Sequence, residues 1–345
     1  MLEKFPRAKL AHTPTPLEPM DRVTRELGTA RVFVKRDDCT GLAMGGNKAR
    51  QLEFYLGEAM ANGCDTVVST GATQSNLVRM MAAGARKLGL ACHIQLEHRV
   101  SGMAEDYHTS GNVLLGQVLG AQIYHYPEGE DEGGADARLH EIATTIKRQG
   151  GRPYVISITA DHPPVGALGY VDAAAELLRQ SAEMGINFDV VVLASGGACT
   201  HVGMLVGLRA LGNNARVIGI CVRRDAGAQR ERVLQMAAAL CEMIGRPDLI
   251  TAEDVWVDDS YLGPGYGRTN AGTLEAIRLA AEREGLLLDP VYTGKSFAGV
   301  IGLARQGVLE PSWNVVFLHT GGAPALFGYQ QALFASDPAH APIEQ

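Results

Sequence analysis

One lysine stands where its positive charge is disfavoured. The stretch GLAMGGNKARQLEF, residues 41–54, places Lys48 directly after Gly45, Gly46 and Asn47, and a run with helical spacing follows. A helix N-terminus carries partial positive charge that destabilises an ammonium group, and burial destabilises it further. A neutral amine is a nucleophile toward carbonyl groups and forms Schiff bases. The pattern makes Lys48 a candidate nucleophile, against the alternative that it is an ordinary exposed lysine.

A second segment has the form of a phosphate-binding turn. SGGACT, residues 195–200, follows an apolar strand pattern and precedes a helical one. Its glycines let several backbone N–H groups point the same way, and the helix N-terminus behind them favours an anion. It lacks the Gly-Lys-Ser/Thr of a Walker A loop, and an ordinary tight turn is the alternative interpretation. A phosphate site together with an amine nucleophile is what pyridoxal phosphate requires, so this cofactor is predicted.

Polar side chains follow another predicted strand. In STGATQSNLVR, residues 69–79, Gln74, Ser75 and Asn76 come just before a helical pattern. A Ser or Asn in this place commonly caps the helix, whereas the functional interpretation sets these side chains against a substrate or cofactor group. The sequence has no Gly-x-Ser-x-Gly elbow, which argues against a hydrolase triad.

Two glycine- and proline-containing segments carry tyrosines. Tyr266 lies in LGPGYGRTNAGTLEAI as an exposed aromatic before a helix capped at Thr269 or Asn270, and Tyr292 follows a strand-like run in LLLDPVYTGKSFAGVI. A tyrosine at a strand end stacks, donates a proton or only packs, and packing is the commonest outcome. A third segment, LHTGGAPALFGY, has a strand, a Gly-Gly turn and a helix that would reach the same sheet edge.

These segments need a scaffold that brings them together, and alternating strand and helix patterns supply it. The predicted strands are residues 31–34, 66–70, 92–96, 122–126, 153–158, 188–195, 216–222 and 313–320. The predicted helices are residues 48–62, 76–89, 136–149, 167–185, 199–212, 226–245, 272–284 and 296–306. Such alternation is typical of an α/β fold with a mostly parallel sheet. Ligands bind beyond the carboxyl ends of parallel strands, where these turns would lie.

Length and charge limit the possible functions. A chain of 345 residues predicts two domains or one large α/β unit. The net charge of −7 argues against nucleic acid or an anionic membrane as a partner. No apolar run reaches the ~20 residues that span a bilayer, and segment 1–20 lacks the apolar core of a secretion signal. The acidic, Gly-rich segment 127–137 is predicted to be a solvated loop.

The spacing of the cysteines and histidines indicates the cellular compartment and whether the chain has a metal site. The six cysteines are scattered without CxxC spacing. This pattern predicts neither a disulfide framework nor a zinc ribbon, and it favours the reduced cytoplasm. The ten histidines show no HExxH motif or paired spacing, so no metal site is predicted.

Taken together, these motifs resemble one family. KRDDCTGLAMGGNKARQLEF, GATQSNLVR, GNVLLGQVLGA, GALGYVDAAAEL, GPGYGRTNAGTLEAIRLA, DPVYTGKS and HTGGAPALFGY are similar to stretches of the 1-aminocyclopropane-1-carboxylate (ACC) deaminase / D-cysteine desulfhydrase family of fold-type II pyridoxal-phosphate enzymes. The resemblance implies a tryptophan synthase β-like α/β fold with two open, twisted, mostly parallel sheets flanked by helices. It further implies a large cofactor-binding domain (1–51 and 161–345), a small domain (52–160), an active site in the cleft between them, and a homodimer.

The resemblance also implies roles for individual residues. The catalytic group is Lys48 as the Schiff-base lysine and proton carrier, with Ser75, Tyr266 and Tyr292. The cofactor-binding group is Lys48, Asn76, Ser195, Gly196, Gly197, Ala198, Cys199, Thr200, Tyr292, Thr293 and Thr320. The group that contacts a small amino-acid substrate is Thr73, Gln74, Ser75, Asn76, His162 and Tyr266.

Two threonines bear on the reaction within this family. ACC deaminases resemble this chain but have glutamate in place of Thr293 and leucine in place of Thr320. Hydroxyls at both positions favour α,β-elimination from D-cysteine or L-cysteate over opening of an unactivated ring. Leu77 stands where desulfhydrases often have histidine, and the stretch around His162 is closer to deaminases. ACC deaminase activity is therefore the alternative, and a non-catalytic cofactor- or amino-acid-binding protein is a more remote one.

Overall fold

Two mostly parallel β-sheets organise the computed structural model, in which the structure of residues 1–334 is described. The strands are β1 (Leu17–Pro19), β2 (Arg31–Arg36), β3 (Thr66–Ala72), β4 (Ala91–Glu97), β5 (Gln122–Tyr126), β6 (Pro153–Ile156), β7 (Val190–Ser195), β8 (Arg216–Cys221), β9 (Trp256–Asp258) and β10 (Asn314–His319). The larger sheet has the order β1-β2-β10-β7-β8-β9, and the smaller has the order β5-β4-β3-β6. The pairing of β1 with β2 is antiparallel, and the other pairings are parallel.

Helices cover the sheets and connect their strands. They are α1 (Asp21–Leu27), α2 (Lys48–Ala61), α3 (Asn76–Lys87), α4 (Glu105–Thr109), α5 (Gly111–Val118), α6 (Glu132–Arg148), α7 (Leu168–Glu183), α8 (Cys199–Ala210), α9 (Ala226–Ile244), α10 (Ala271–Glu284), α11 (Thr293–Arg305) and α12 (Gln330–Phe334). Within residues 1–334, no helix is long and apolar enough to cross a membrane. The predicted α/β class with two mostly parallel, helix-flanked sheets is confirmed.

The buried strands follow from their apolar runs. In β7, Val191 and Leu193 pack into a core with α7, α8 and α9, whereas Val190 and Val192 pack into a second core with α10 and α11. Successive side chains of a strand point to opposite faces, so a run such as VVVL needs apolar neighbours on both. This double burial fixes β7 near the middle of the larger sheet, with its carboxyl end free for the turn that follows.

Every strand and helix predicted by periodicity is present, with ends displaced by a few residues. The elements that the sequence patterns missed are β1, β9, α1, α4, α5 and α12. They are short, and a three-residue strand or a helix of one or two turns gives too few repeats for periodicity to detect.

Two local predictions are wrong. The segment 127–137 is not a loop throughout, because α6 begins at Glu132, where the Asp131 carboxylate caps it by accepting the Gly134 N–H at 2.9 Å. The strand-like run that starts at residue 286 does not join a sheet; Leu286 and Leu288 are buried in the core beside α10 and α11. Their apolar character reflects that burial and not strand pairing.

A buried ionic network fixes α2 against the larger sheet. The Arg50 guanidinium of α2 lies 3.0 Å from Asp37 and 2.8 Å from Glu176 of α7, and Lys35 of β2 lies 2.5 Å from Glu176. Burial alone would raise the pKa of the Glu176 carboxyl, but hydrogen bonds and charge from Arg50 and Lys35 outweigh burial and lower this pKa to about 2. The network therefore holds the helix on which Lys48 is the first residue.

Candidate active site

The loop before α2 has two positions, 45 and 46, that only glycine fits. Gly45 has φ +69°, and a Cβ atom there would lie 1.8 Å from the Asp38 carbonyl oxygen. Gly46 has φ +131°, and a Cβ atom there would lie 3.2 Å from the Thr320 carbonyl oxygen. Non-glycine residues are strained at such angles. The Gly-Gly pair thus brings the start of α2, and Lys48 with it, against the turn after β10.

Lys48 has few partners for its charge. Its Nζ atom has a long contact of 3.4 Å to the Gln51 side-chain oxygen. Burial lowers the pKa of the Lys48 ammonium group, and the charge of Cys199 opposes this effect. Lys295 provides a contrast, because its Nζ atom donates to the Leu262 and Gly265 carbonyls at 2.7 and 2.6 Å. Lys48 is therefore the lysine whose amine is available for chemistry.

The turn after β7 forms an anion cradle. Ala198 has φ +72°, and α8 begins at Cys199 without a capping side chain. Its first-turn N–H groups are thus free of the side-chain acceptor that commonly satisfies them at a helix start. A Cβ atom at Gly197 would meet nothing within 4 Å, so there is open space beside the turn. Free N–H groups, a helix N-terminus and open space together suit a phosphate group.

Thr200 connects this cradle to the lysine helix. Its hydroxyl oxygen accepts hydrogen bonds from the side chains of Asn47 at 2.8 Å and Gln51 at 2.9 Å. Because the oxygen accepts twice, its own proton remains to be donated to a phosphate oxygen. The residues on either side of Lys48 are therefore held by the same hydroxyl that points at the cradle.

Ser75 and Asn76 occupy the start of α3. The Ser75 hydroxyl caps the helix by accepting the Leu77 N–H at 3.2 Å, so the capping interpretation is confirmed. Both residues also line the same cleft as Lys48. The Asn76 side-chain oxygen accepts from Arg79 at 3.1 Å, which leaves its amide N–H groups to donate into the cleft.

Arg79 is a fully buried cation that organises this corner. It donates to the Gly45 carbonyl at 2.6 Å, to the Asn112 side chain at 2.9 Å and to Asn76. Burial lowers the pKa of its guanidinium to about 10, and its Nε atom has no partner among residues 1–334. Arg79 thus ties the lysine loop to Asn76, and no carboxylate of residues 1–334 forms an ion pair with it.

Arg79→Met is expected to weaken cofactor binding by about 10- to 100-fold. The change leaves the Gly45 carbonyl and the Asn76 oxygen without donors, and each unsatisfied buried group costs about 1–3 kcal/mol. Fluorescence titration of the cofactor-free protein with pyridoxal phosphate measures the effect. Arg86→Met is the matched control, because Arg86 is an exposed residue of the same helix that donates to the Leu119 and Gly120 carbonyls. An unchanged Kd in the Arg79 variant contradicts this positioning role.

Tyr266, which is buried, forms a pair with Tyr292, which is partly buried. Tyr266 is only 9% exposed, so the prediction of an exposed aromatic is wrong: its loop folds over the cleft and its ring lies 5.4 Å beneath the Arg99 guanidinium. The two tyrosine hydroxyls are hydrogen-bonded to each other, and the ring centroids are 6.0 Å apart. Burial raises the pKa of both phenols. Both therefore stay protonated near neutral pH and can hold or donate a proton.

These side chains face one cleft of about 860 Å³, counting its open mouth. The predicted site residues that line it are Lys48, Ser75, Asn76, Gly196, Gly197, Ala198, Cys199, Thr200, Tyr266, Tyr292 and Thr320.

Three predicted substrate contacts lie elsewhere. The Thr73 hydroxyl donates to the Glu97 carbonyl at 3.4 Å, and the Gln74 amide donates to the Tyr107 carbonyl at 2.7 Å. Both side chains are thereby engaged in holding neighbouring loops. His162 lines a smaller cavity that shares Lys48 with the cleft. Of the predicted substrate group, the structure thus brings Ser75, Asn76 and Tyr266 to the cleft.

Two predicted cofactor contacts also point away from the cleft. The Ser195 hydroxyl is 3.1 Å from His201 Nδ1. The Thr293 hydroxyl donates to Asp289 at 2.8 Å and accepts the Asp289 N–H at 2.7 Å. A glutamate at position 293 would set a second carboxylate beside the fully buried Asp289. Of the two sequence differences from ACC deaminases, the one at Thr320 therefore bears more on the reaction, because Thr320 lines the cleft.

A cluster of arginines in the cleft is not among the residues predicted from the sequence. Arg223 and Arg224 both form ion pairs with Glu132, and Arg232 lies 3.5 Å from the same carboxylate. All four residues line the cleft. The sequence does carry a signal for this cluster. Arg223 and Arg224 closely follow the carboxyl end of β8, and ligand contacts are expected at such strand ends. Arg223 also pairs with the exposed Glu130 at 3.2 Å. Three guanidinium groups with these two carboxylates leave this wall with an excess of positive charge.

Comparison with known proteins identifies the family. The family model described as pyridoxal-phosphate dependent enzyme matches residues 8–321. The chain belongs to the pyridoxal-phosphate dependent enzyme family. Among its relatives, a D-cysteine desulfhydrase of Salmonella choleraesuis (strain SC-B67) is 44% identical over 328 residues, covering 95% of this chain and 97% of the relative. That of Salmonella paratyphi C (strain RKS4594) is also 44% identical over the same shares.

A solved structure gives the same family assignment. The structure of an ACC deaminase homologue superimposes on this pyridoxal-phosphate dependent enzyme with a TM-score of 0.86 and 34% identity, covering 97% of each chain. A threonine deaminase from T.th. superimposes with a TM-score of 0.63 over 89% of this chain and 92% of its own, at 20% identity, and so shares the fold. The predicted resemblance and the predicted cofactor, pyridoxal phosphate, are confirmed.

The residues present fit this cofactor. Lys48 offers an amine of lowered pKa for the aldehyde, and the uncapped start of α8 with open space at Gly197 offers a seat for the phosphate. Asn76 offers a donor for a ring oxygen. The cleft of the pyridoxal-phosphate dependent enzyme thus contains partners for the aldehyde, the phosphate and the ring oxygen of the cofactor that the family name requires.

Proposed function

We propose that the protein is a pyridoxal-phosphate-dependent carbon–sulfur lyase that converts D-cysteine to pyruvate, ammonia and sulfide by α,β-elimination. One observation carries the proposal: an amine of lowered pKa shares a cleft with an anion cradle, in a chain 44% identical to a D-cysteine desulfhydrase over nearly its whole length. When bound, pyridoxal phosphate supplies an aldehyde for an amine and a conjugated ring that accepts electrons from the substrate α-carbon.

Lys48 carries out the proton transfer in this proposal. Its neutral Nζ removes the proton from the substrate α-carbon, the Cβ–S bond breaks, and a Cα–Cβ double bond forms. The released product takes up water to give pyruvate and ammonia. The Ser75 hydroxyl and the Asn76 amide N–H groups bind the substrate carboxylate or the cofactor ring oxygen, since both line the cleft beside Lys48.

Tyr266 and Tyr292 stabilise the departing sulfur by hydrogen bonding. Their hydroxyls are hydrogen-bonded to each other, and burial keeps both protonated at neutral pH. A phenol O–H donates a hydrogen bond to the sulfur, which leaves as HS⁻ with the proton of the cysteine thiol. The backbone of Gly197 and Cys199 with the Thr200 hydroxyl holds the phosphate throughout.

L-cysteate is a second candidate substrate because of the arginine cluster. Its elimination releases sulfite instead of sulfide, and a sulfonate needs cationic donors. Arg232 is the best placed, since its Nε atom has no partner among residues 1–334 and its nearest contact with Glu132 is 3.5 Å. A buried cation with a free donor in the cleft is a ready partner for a sulfonate oxygen.

A substrate panel tests the proposal. D-cysteine, L-cysteine, L-cysteate and ACC are offered to the holoenzyme, and pyruvate, 2-oxobutanoate, sulfide and sulfite are measured in parallel. We expect pyruvate and sulfide from D-cysteine at the highest kcat/KM. Faster release of sulfite from L-cysteate establishes the second candidate. Faster release of 2-oxobutanoate from ACC contradicts both and favours the deaminase alternative.

Arg232→Met is expected to lower kcat/KM for L-cysteate by about 10- to 100-fold, because a hydrogen bond to a charged group contributes about 1.5–3 kcal/mol. The value for D-cysteine is expected to change little. Arg230→Met is the matched control: Arg230 lies on the same helix but donates to the Val255 and Ala252 carbonyls outside the cleft. Equal losses for both substrates contradict a sulfonate-binding role.

We further propose the domain division and assembly that the resemblance implies. Residues 1–51 with 161–345 would form the large domain and residues 52–160 the small one. In support, the strands of the larger sheet fall in the first set and those of the smaller sheet in the second. Limited proteolysis tests the division, light scattering tests the proposed homodimer, and fractionation of the source cells tests the proposed cytoplasmic location.

A further inference from the structure

Three metal-ligating side chains converge at the edge of the small sheet. Asp136 and His140 lie on α6, and His162 lies in the segment after β6. The Asp136 Oδ2 atom is 3.6 Å from His140 Nε2 and 3.6 Å from His162 Nε2. One ligand atom from each residue lies within 4.8 Å of the other two. Three possible ligands thus face a common point.

The spacing suits a shared ion better than direct hydrogen bonds. An N–H···O bond has a donor–acceptor distance of about 2.7–3.2 Å, which both separations exceed. Zinc takes imidazole nitrogen and carboxylate oxygen at about 2.0–2.2 Å, so neighbouring ligands of a tetrahedral site lie about 3.4 Å apart. The separations of 3.6 Å are close to that value.

The surroundings orient the carboxylate for this task. Asp136 and His140 are four residues apart on α6 and therefore share one face. The Ser157 hydroxyl is hydrogen-bonded to Asp136 Oδ1, which leaves Oδ2 to face the imidazoles. An outer hydrogen bond of this kind fixes a ligating carboxylate. The two imidazole rings lie 6.0 Å apart with their planes 20° from parallel.

We propose that Asp136, His140 and His162 bind a divalent first-row metal ion of the Zn²⁺ type, with one coordination position open. Two imidazoles and one carboxylate are a donor set that zinc uses. The His140 and His162 side chains are 51% and 33% exposed, so an ion enters from solvent without unfolding. This site is separate from the proposed lyase reaction and does not depend on it.

The site adjoins the smaller cavity. His162 lines this cavity together with Lys48, Leu77 and Cys199. A bound ion would tie the segment 157–163 to α6 and so restrain one wall of that cavity.

Titration of the holoenzyme with Co²⁺, a spectroscopic substitute for zinc, tests the proposal. Visible d–d bands of a tetrahedral ion are expected to rise to one equivalent in the wild type and to be lost in His140→Ala and His162→Ala. Calorimetry with Zn²⁺ is expected to show binding at least about tenfold weaker in either variant, because a ligand is missing. Zn²⁺ should also slow amide hydrogen exchange over residues 157–163 in the wild type but not in His162→Ala. Circular dichroism confirms that the variants fold.

His108→Ala is the matched control. His108 is an exposed helical histidine that stacks on His98 at 5.9 Å, and the cobalt spectrum should survive its loss. Bands that persist in both site variants, or that vanish in His108→Ala, place the ion elsewhere and overturn the proposal. A thiolate-to-cobalt band common to every variant, or no measurable binding to the wild type, overturns it equally. Unchanged exchange with bound zinc overturns the restraint of the segment.

Discussion

Lys48→Ala is expected to lower kcat/KM for the sulfur amino acid by at least about 10³-fold. Loss of a general acid–base alone typically costs about 10²–10⁴-fold, and this change also removes the amine that would bond to the cofactor aldehyde. The near-visible absorbance that arises from that bond should disappear. Steady-state kinetics and an absorbance scan of the purified variant, each with added pyridoxal phosphate, measure the two effects.

Two other lysine variants sharpen this test. Lys48→Arg keeps a cation of similar length but is expected to be as inactive as alanine, because a guanidinium does not take over the amine chemistry. Lys295→Met removes a second buried lysine, whose pKa is lowered to about 8 but whose Nζ atom is held by carbonyls. It should keep the absorbance band. Turnover of Lys48→Ala near the wild-type rate contradicts the assignment, and a wild-type band without any turnover favours the non-catalytic alternative.

Arg50→Met is expected to lower the free energy of unfolding by about 3–5 kcal/mol. The change leaves the buried Asp37 and Glu176 carboxylates with Lys35 as their remaining cation, and breaking a buried ion pair by removing one partner has a cost of this size. All four side chains are at most 6% exposed, so water cannot compensate. Urea unfolding of the wild type and the variant at neutral pH measures the difference.

The same network predicts an acid dependence of stability. The pKa of the Glu176 carboxyl is about 2 in the folded protein, against an ordinary value of 4.5. A lowered folded-state pKa contributes stability above the unfolded-state pKa, and that stability is lost as the pH falls from about 4.5 towards 2. In Arg50→Met the pKa of Glu176 should rise towards its ordinary value. Unfolding midpoints measured over this pH range should therefore fall less steeply in the variant.

Arg305→Met is the control for these measurements. Arg305 pairs with Glu275, and the two side chains are 60% and 46% exposed, so its loss is expected to cost no more than about 1 kcal/mol. Equal destabilisation by the Arg305 and Arg50 variants would contradict the importance assigned to the buried network.

The parts of the site that the sequence predicted are those encoded by short contiguous segments. The Gly-Gly-Asn-Lys loop and the Ser-Gly-Gly turn each combine a strand end, a backbone requirement and a helix start within a few residues. Periodicity places the strands, and parallel topology brings their carboxyl ends to one edge. The position of Lys48 near Thr200, far apart in sequence, follows from topology alone.

What escaped prediction depends on side chains meeting across the fold. Glu132 belongs to a segment whose acidic composition suggested a solvated loop, and only the tertiary structure shows that it pairs with Arg223 and Arg224. The family resemblance implies a cofactor contact for Thr293, but in the structure its hydroxyl donates to the buried Asp289. Neither a charge partner nor a rotamer can be derived from local pattern.

The Thr200 hydroxyl accepts hydrogen bonds from both Asn47 and Gln51. Binding of a phosphate and positioning of the Lys48 amine are therefore energetically coupled. An anion bound in the cradle orders Thr200. This ordering also stabilises the positions of Asn47 and Gln51, which flank Lys48. Linkage is reciprocal, so a well-ordered lysine loop in turn strengthens the hold on the anion. A substitution at position 200 is therefore expected to change two properties together, the affinity for the cofactor and the alignment of the amine.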